Sequence, residues 1–137
     1  MKANLKYEEN DKGVFNYNLS NHKIGKISGF RNFDGTQKDI VCLGAALTMG
    51  RYSHNPFPML VEDNTQYSVA NFGWGGVGDY QYDTPEFLDF INSSKLCVYQ
   101  INSGRSTENF NQTFNLGDIP INERPPEIIN LYKNNFS

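Results

Sequence analysis

Three short segments carry residue types at spacings suited to holding a ligand. The first is Cys42-Leu43-Gly44-Ala45-Ala46-Leu47-Thr48-Met49-Gly50. A glycine closing an apolar run, followed by small residues that open a helix, lets the backbone approach a ligand closely, and unpaired N–H groups at a helix start favour an anion. The second is Asn71-Phe72-Gly73-Trp74-Gly75-Gly76-Val77-Gly78-Asp79, whose glycines permit positive φ and tight turns. The third is Gln100-Ile101-Asn102-Ser103-Gly104-Arg105-Ser106, in which Arg105 is suited to a bidentate clamp on a carboxylate, phosphate or sulfate. The candidate ligand-binding set is therefore Gly44, Ala45, Ala46, Thr48, Asn71, Gly73, Gly75, Gly76, Asn102, Ser103, Arg105 and Ser106. The expected chemistry is binding. Thr48, Ser103 and Ser106 offer hydroxyls without a matched base, so no catalytic residue is assigned. Residues 73–78 do not form G-x-G-x-x-G, no Walker sequence occurs, and no metal-ligand spacing is seen, so no cofactor or metal is expected.

These segments need a frame that brings them to one edge. Asp39–Leu43, Tyr67–Asn71 and Leu96–Ile101 are short apolar runs that read as strands. Ala45–Tyr52 reads as a helix. Asn55-Pro56 offers a cap and a first-turn proline for a second one, running to Asp63. Thr84-Pro85-Glu86 opens a third, with Phe87, Leu88, Phe90 and Ile91 as its apolar stripe. Residues 102–122 read as loop, and Glu123–Glu127 starts a last helix over Ile128–Asn134. Alternating strands and helices imply parallel strands joined by right-handed crossovers. The expected fold is thus α/β and three-layered, with about three parallel strands in the order 2-1-3. All three segments then follow the carboxyl ends of strands, where open α/β sheets bind ligands. Residues 1–38 are polar, broken by glycines, and read as an irregular, extended lead-in lying on a domain formed by 39–137; Val14–Leu19 alternates weakly and is a candidate strand.

Each feature also has a structural explanation. Glycines after strands serve turns. Arg105 has Asp79 or Glu108 as surface partners, Asp79 suits a turn, and His54 suits the surface. Trp74 fits either an exposed contact or a core plug, and Phe87 and Phe90 fit the core.

Composition narrows the classes. The 137 residues include ten Phe and eight Tyr, enough large apolar side chains to exclude wholesale disorder. The net charge of −3 argues against a general nucleic-acid binder. No run approaches the roughly 20 apolar residues of a membrane span, and Met1–Asn10 shows no secretory signal. Charge is mildly uneven, +2 over residues 1–40 and −5 over 41–137, as solvated surface commonly is. Cys42 and Cys97 lie in apolar runs and read as buried, reduced thiols in a cytoplasmic protein.

Gly44–Gly50 resembles the Gly-Asp-Ser-Leu-Thr-x-Gly block of SGNH (GDSL) hydrolases, and Asn71–Gly76 resembles their Asn-x-Gly-x-x-Gly block. A bacterial family of SGNH-like proteins of unknown function is closer still. Its Leu-Gly-Ala-Ala-x-Thr-x-Gly-Arg, Pro-Phe-Pro-x-Leu, Asn-x-Gly-x-Gly-Gly-x-Gly and Gln-x-x-Ser-x-Arg-Ser blocks are similar to Leu43–Arg51, Pro56–Leu60, Asn71–Gly78 and Gln100–Ser106. The resemblance spans roughly residues 37–110. It implies an SGNH/flavodoxin-like fold of which this chain carries the N-terminal half. It also implies a lost hydrolase function. Ala46 stands where the nucleophilic serine would be, and a methyl group cannot attack a carbonyl. Ala45 replaces the neighbouring Asp, Asn102–Arg105 departs from Gly-x-Asn-Asp, and no Asp-x-x-His block accompanies His22 and His54.

The leading expectation is a pseudoenzyme that binds a small anionic or carbohydrate-like ligand at the strand ends. A structural or interaction module with a dead site, and half of a split sugar- or acyl-modifying enzyme, are the alternatives. A short parallel sheet leaves open edges, so a homo-oligomer or an obligate protein partner is expected.

Overall fold

The computed structural model describes residues 1–76, 79–101, 108–109 and 112–113. In chain order the elements are α1 (Leu5–Asn10), β1 (Ile40–Gly44), α2 (Ala46–Met49), α3 (Phe57–Asn64), β2 (Val69–Gly73), a 3₁₀ turn (Asp79–Tyr82), α4 (Pro85–Asn92), β3 (Leu96–Tyr99), β4 (Glu108–Asn109) and β5 (Gln112–Thr113). The fold is α/β. β1 pairs in parallel with β2 and with β3, giving the expected order 2-1-3. The register sets Gly44 beside Gly73 and Leu43 beside Tyr99, so the segments that follow leave from one edge.

β1 and β2 are buried along their whole length, as parallel strands covered on both faces should be. Successive side chains serve opposite faces. Val41, Leu43, Ala70 and Phe72 face a core built with Ala3, Phe30 and Phe33 from the N-terminal segment and Phe87 and Phe90 from α4. Ile40, Cys42 and Val69 face the other way, against Val61 of α3. The first core is an aromatic cluster. Phe30 lies 5.0 Å from Phe72 and 5.5 Å from Phe87 between ring centroids, and Phe72 lies 5.1 Å from Phe90. Such tilted and edge-on pairs are favoured by the ring quadrupoles. Trp74 is buried here, edge-on to Phe30.

α4 forms where the cap and stripe placed it. The Thr84 hydroxyl accepts from the Phe87 N–H, Pro85 opens the first turn, and Phe87 and Phe90 are buried. Leu88, expected in that stripe, is exposed.

Several elements depart from the sequence reading. The helix expected over Ala45–Tyr52 is only Ala46–Met49, because Gly50 takes a left-handed φ of 82° and closes the turn onto the Ala46 carbonyl. α3 begins at Phe57 with Pro56 as its cap, so Asn55 does not cap it. Val14–Leu19 is not a strand: the Asn18 N–H folds back onto Asn16 Oδ1, and Asn18 has φ 50°. The N-terminal segment holds a helix, α1, and contributes Ala3, Tyr17, Ile24, Phe30 and Phe33 to buried positions. β3 is exposed throughout, and Cys97 with it, because among the described residues none of its side chains joins either core cluster. Where a loop was expected, β4 and β5 form a ladder of two residue pairs, too short to show a period in sequence. The helix expected over 128–134 lies outside the described residues.

Candidate functional site

The edge where β1 and β2 end is organised by hydrogen bonds from four side chains, three of them distant in sequence. The first is Gln100, one residue beyond β3. Its Oε1 accepts from the Ala45 N–H (3.1 Å), the Thr48 N–H (3.2 Å) and the Thr48 hydroxyl (2.7 Å). Two of the amides at the start of α2, those of Ala45 and Thr48, thus have a partner within the chain. Gly44 is tight here: a Cβ on it would meet the Thr48 hydroxyl and lie 2.6 Å from Gln100 Cβ.

The second is Arg31, 3 % exposed. Its Nη1 donates to the Gly50 carbonyl (2.8 Å) and, at 3.3 Å, to that of Met49; its Nη2 donates to the carbonyls of Ser53 (2.8 Å) and His54 (3.0 Å). Carbonyls left unpaired where α2 ends are satisfied by one guanidinium. Burial pulls the Arg31 pKa below its ordinary value, yet the group stays charged. Arg31 holds both sides of the turn that presents Arg51.

The third is Asn4, also buried, with φ 61°. Its Nδ2 donates to the Gly73 carbonyl (2.9 Å) and its Oδ1 accepts from the Gly75 N–H (3.0 Å). The fourth is Asn71, whose Oδ1 accepts from the Gly73 N–H (3.0 Å). The two asparagines shape the turn after β2. Gly73 must be glycine for packing: a Cβ would run into the backbone N of Met49. Tyr82 adds a tie between strands, donating to the Phe72 carbonyl (2.6 Å) while accepting from the Gly44 N–H (3.3 Å).

Beyond Gly73 the edge opens. A cleft of about 580 Å³ lies between α1 and the Gly75–Gly76 turn, with Tyr7, Arg51 and Trp74 among its walls. Arg51 is the group held most firmly there. Its Nε donates to Asp11 Oδ2 (3.0 Å) and its Nη2 to Asp11 Oδ1 (3.2 Å). Its guanidinium lies 4.1 Å from the Tyr7 ring centroid and 4.7 Å from that of Tyr52. The Tyr17 hydroxyl donates to Asp11 Oδ2 (2.6 Å) from a fully buried ring. Arg51 and Tyr17 hold the Asp11 carboxyl below its usual pKa, and Asp11 in turn raises that of Arg51. Burial, then the bond to Asp11, raises the Tyr17 phenol.

Of the candidate residues, Gly44, Ala45, Ala46, Thr48, Asn71 and Gly73 come together around α2, where Gln100 and Asn71 use their polar groups internally. Gly75 and Gly76 border the cleft. Asn102, Ser103, Arg105 and Ser106 lie outside the described residues, as do Val77 and Gly78. His54 is exposed and packs 4.9 Å from the Phe15 ring. Gln100, Asn4, Arg31 and the Tyr7–Arg51–Asp11 set were not among the candidates. Gln100 carried a signal, a polar side chain at the end of an apolar strand. Asn4 and Tyr7 carried none, lying about 70 positions from the turn they hold. No cluster of His, Cys, Asp and Glu among the described residues could hold a metal ion.

The model of a family described as Domain of unknown function (DUF6473) matches residues 5–114. The chain belongs to that family. No curated protein and no solved structure matches it. The DUF6473 match takes in α1, the sheet and all three sequence segments, so the family's shared unit includes the N-terminal wall of the cleft. In this DUF6473 chain, no helix among the described residues is long and apolar enough to cross a membrane.

Proposed function

We propose that this chain is a non-hydrolytic, SGNH-like pseudoenzyme that binds a small anionic or carbohydrate-like ligand at the strand-end edge of its sheet. The observation that carries this reading is the cleft of about 580 Å³ beside Gly75, Gly76 and Arg51. Its size falls in the range of about 300–1,000 Å³ common for small-molecule sites. Two features support binding over acyl transfer. Ala46 offers a methyl where a nucleophile would stand, and the amides beside it are engaged by Gln100. The free thiols Cys42 and Cys97 fit a reducing cytoplasm; burial pushes the Cys42 thiol up to about 11, which keeps it unreactive.

The test pairs two measurements. Short activated esters should not be hydrolysed, and a fluorophosphonate should label no serine. Trp74, the single tryptophan, should report saturable binding when a panel of anionic and neutral sugars is titrated. Stoichiometric serine labelling, or an unchanged emission with every probe, would sink the reading.

One observation favours an interaction role as a second reading. β3 exposes Leu96 and Val98 along a sheet edge, which suits a second copy or a partner chain. Light scattering should then find an oligomer; a monomer at high concentration speaks against it.

A further inference from the structure

We infer that the cleft recognises a carboxylated saccharide through the outer edge of the Arg51 guanidinium, an assignment that rests on the binding function proposed above. A guanidinium carries five N–H donors in a planar fork. Arg51 spends only its Nε and Nη2 side on Asp11, at 3.0 and 3.2 Å. The donors of Nη1, and the second hydrogen of Nη2, form the other edge. The rings of Tyr7 and Tyr52 pack against the guanidinium. The backbone beneath is clamped by Arg31 at Gly50, Ser53 and His54. The side chain is 24 % exposed and lines the cleft. An arginine fixed on one edge by a carboxylate and packed against two rings has little rotamer freedom left to lose, so its remaining edge is preorganised for two coplanar oxygens.

Charge selects among the anions that offer such oxygens. Asp11 already balances Arg51, and Lys2 is paired with Glu8 at 2.9 Å. Lys6 and Glu9 add one charge of each sign to the wall. A dianionic phosphate would call for two unmatched cations, which these pairings do not supply. A single carboxylate asks for the smaller surplus and matches the two-donor edge. The body of the ligand is set by the rest of the wall. Lys6, Glu9 and Asn10, exposed on α1, and the backbone of Gly75 and Gly76 offer donors and acceptors for hydroxyl groups rather than a hydrocarbon surface.

Amide NMR of the full chain tests this with four probes: sodium glucuronate, glucuronamide (the same ring with a neutral amide), glucose and inorganic phosphate. Glucuronate should shift Tyr7, Arg51, Gly75 and Gly76. Glucuronamide and glucose should bind about tenfold more weakly, since a bond to a charged partner is lost. Arg51→Lys, which keeps the charge and loses the edge, should weaken glucuronate by a similar factor. Equal affinity for glucuronate and glucuronamide on the unaltered chain overturns the role of Arg51 while leaving the binding function standing, and this comparison decides the matter even if Arg51→Lys fails to fold. Phosphate saturating the same residues at lower concentration overturns the carboxylate assignment. No shift with any probe at tens of millimolar overturns both.

Discussion

The ends of β1 and β2 are neighbours in one sheet, and both run into small residues and glycines, yet they are put to different uses. After β1, the Gln100 carbonyl fills the space that the small residues leave, bonding two amides and the Thr48 hydroxyl. After β2, Asn4 holds the turn from one side only, and the Gly75–Gly76 backbone faces an open cleft. A glycine-rich strand end is therefore not a ligand site by virtue of its glycines. What decides is whether a polar side chain from elsewhere in the chain reaches the freed backbone groups first. At β1 the neighbouring parallel strand supplies one. At β2, a side chain from the N-terminal segment shapes the turn and leaves the far side uncovered.

Substitutions at the two ends should separate these roles. The largest effect is expected for Gly73→Ala, at the junction of both regions. The added methyl meets the backbone of Met49 and Thr48, which cannot yield without moving α2. Overpacking against such a neighbour costs about 3 kcal/mol, to be read from urea unfolding midpoints. Next is Gln100→Ala at the closed end. Thr48, fully buried, loses the acceptor for its hydroxyl along with that for its amide. The loss should be about 2 kcal/mol, with ligand titrations at the cleft unchanged. If Gln100→Ala instead abolishes cleft binding, the two ends are not separate.

Gly75→Ala reverses the pattern. Its methyl would strike the Tyr7 ring, a side chain that can swing aside. Stability should fall by only about 1 kcal/mol. Ligand affinity should fall several-fold, because Tyr7 no longer backs Arg51. A binding isotherm and a thermal melt on the same sample check both halves.

The smallest effect is the acid response of the cleft. The folded chain holds the Asp11 carboxyl below its ordinary 3.8, through Arg51 and then Tyr17. A lowered folded pKa gives stability that is present above the ordinary carboxylate value and is lost as pH falls through the folded one. Between neutral pH and about pH 3, Arg51→Leu should therefore lose less stability than the parent. Asp34 and Asp39, also lowered, contribute equally to both chains and cancel in the comparison. Parallel melting curves for the two chains at pH 7, 4 and 3 would contradict this assignment.

Much of the frame was legible in the sequence. The apolar runs, the punctuation by Gly and Pro, and the alternation of strand and helix were enough for the parallel sheet, because such signals are local; its order, 2-1-3, was expected on the fold type and is the one seen. The Thr84-Pro85 cap located α4 for the same reason. The cleft was not legible. Its far wall is α1, which carries no buried residue and so no apolar stripe to announce it. Arg51 meets Tyr7 and Asp11 only through tertiary packing, Asp11 lying 40 positions upstream of it. The length of α2 was misread because Gly50 falls inside the expected helix, whereas its left-handed φ ends α2 there. Burial of β3 was misread because an apolar run looks alike whether or not the rest of the chain covers it; β2, at the other edge of the same sheet, is buried.

The aromatic core also bears on how the chain is made. Phe30 leaves the ribosome early, but its ring partners are Phe72 and Phe87. The Asn4 amide waits for Gly73 and Gly75, 69 and 71 residues later. Contacts between such distant positions require large loops to close before they yield any gain, and so form slowly. The N-terminal segment, synthesised first, is thus among the last to settle. Until α4 emerges, Phe30 and Phe33 are exposed on a nascent chain, open to capture by a chaperone.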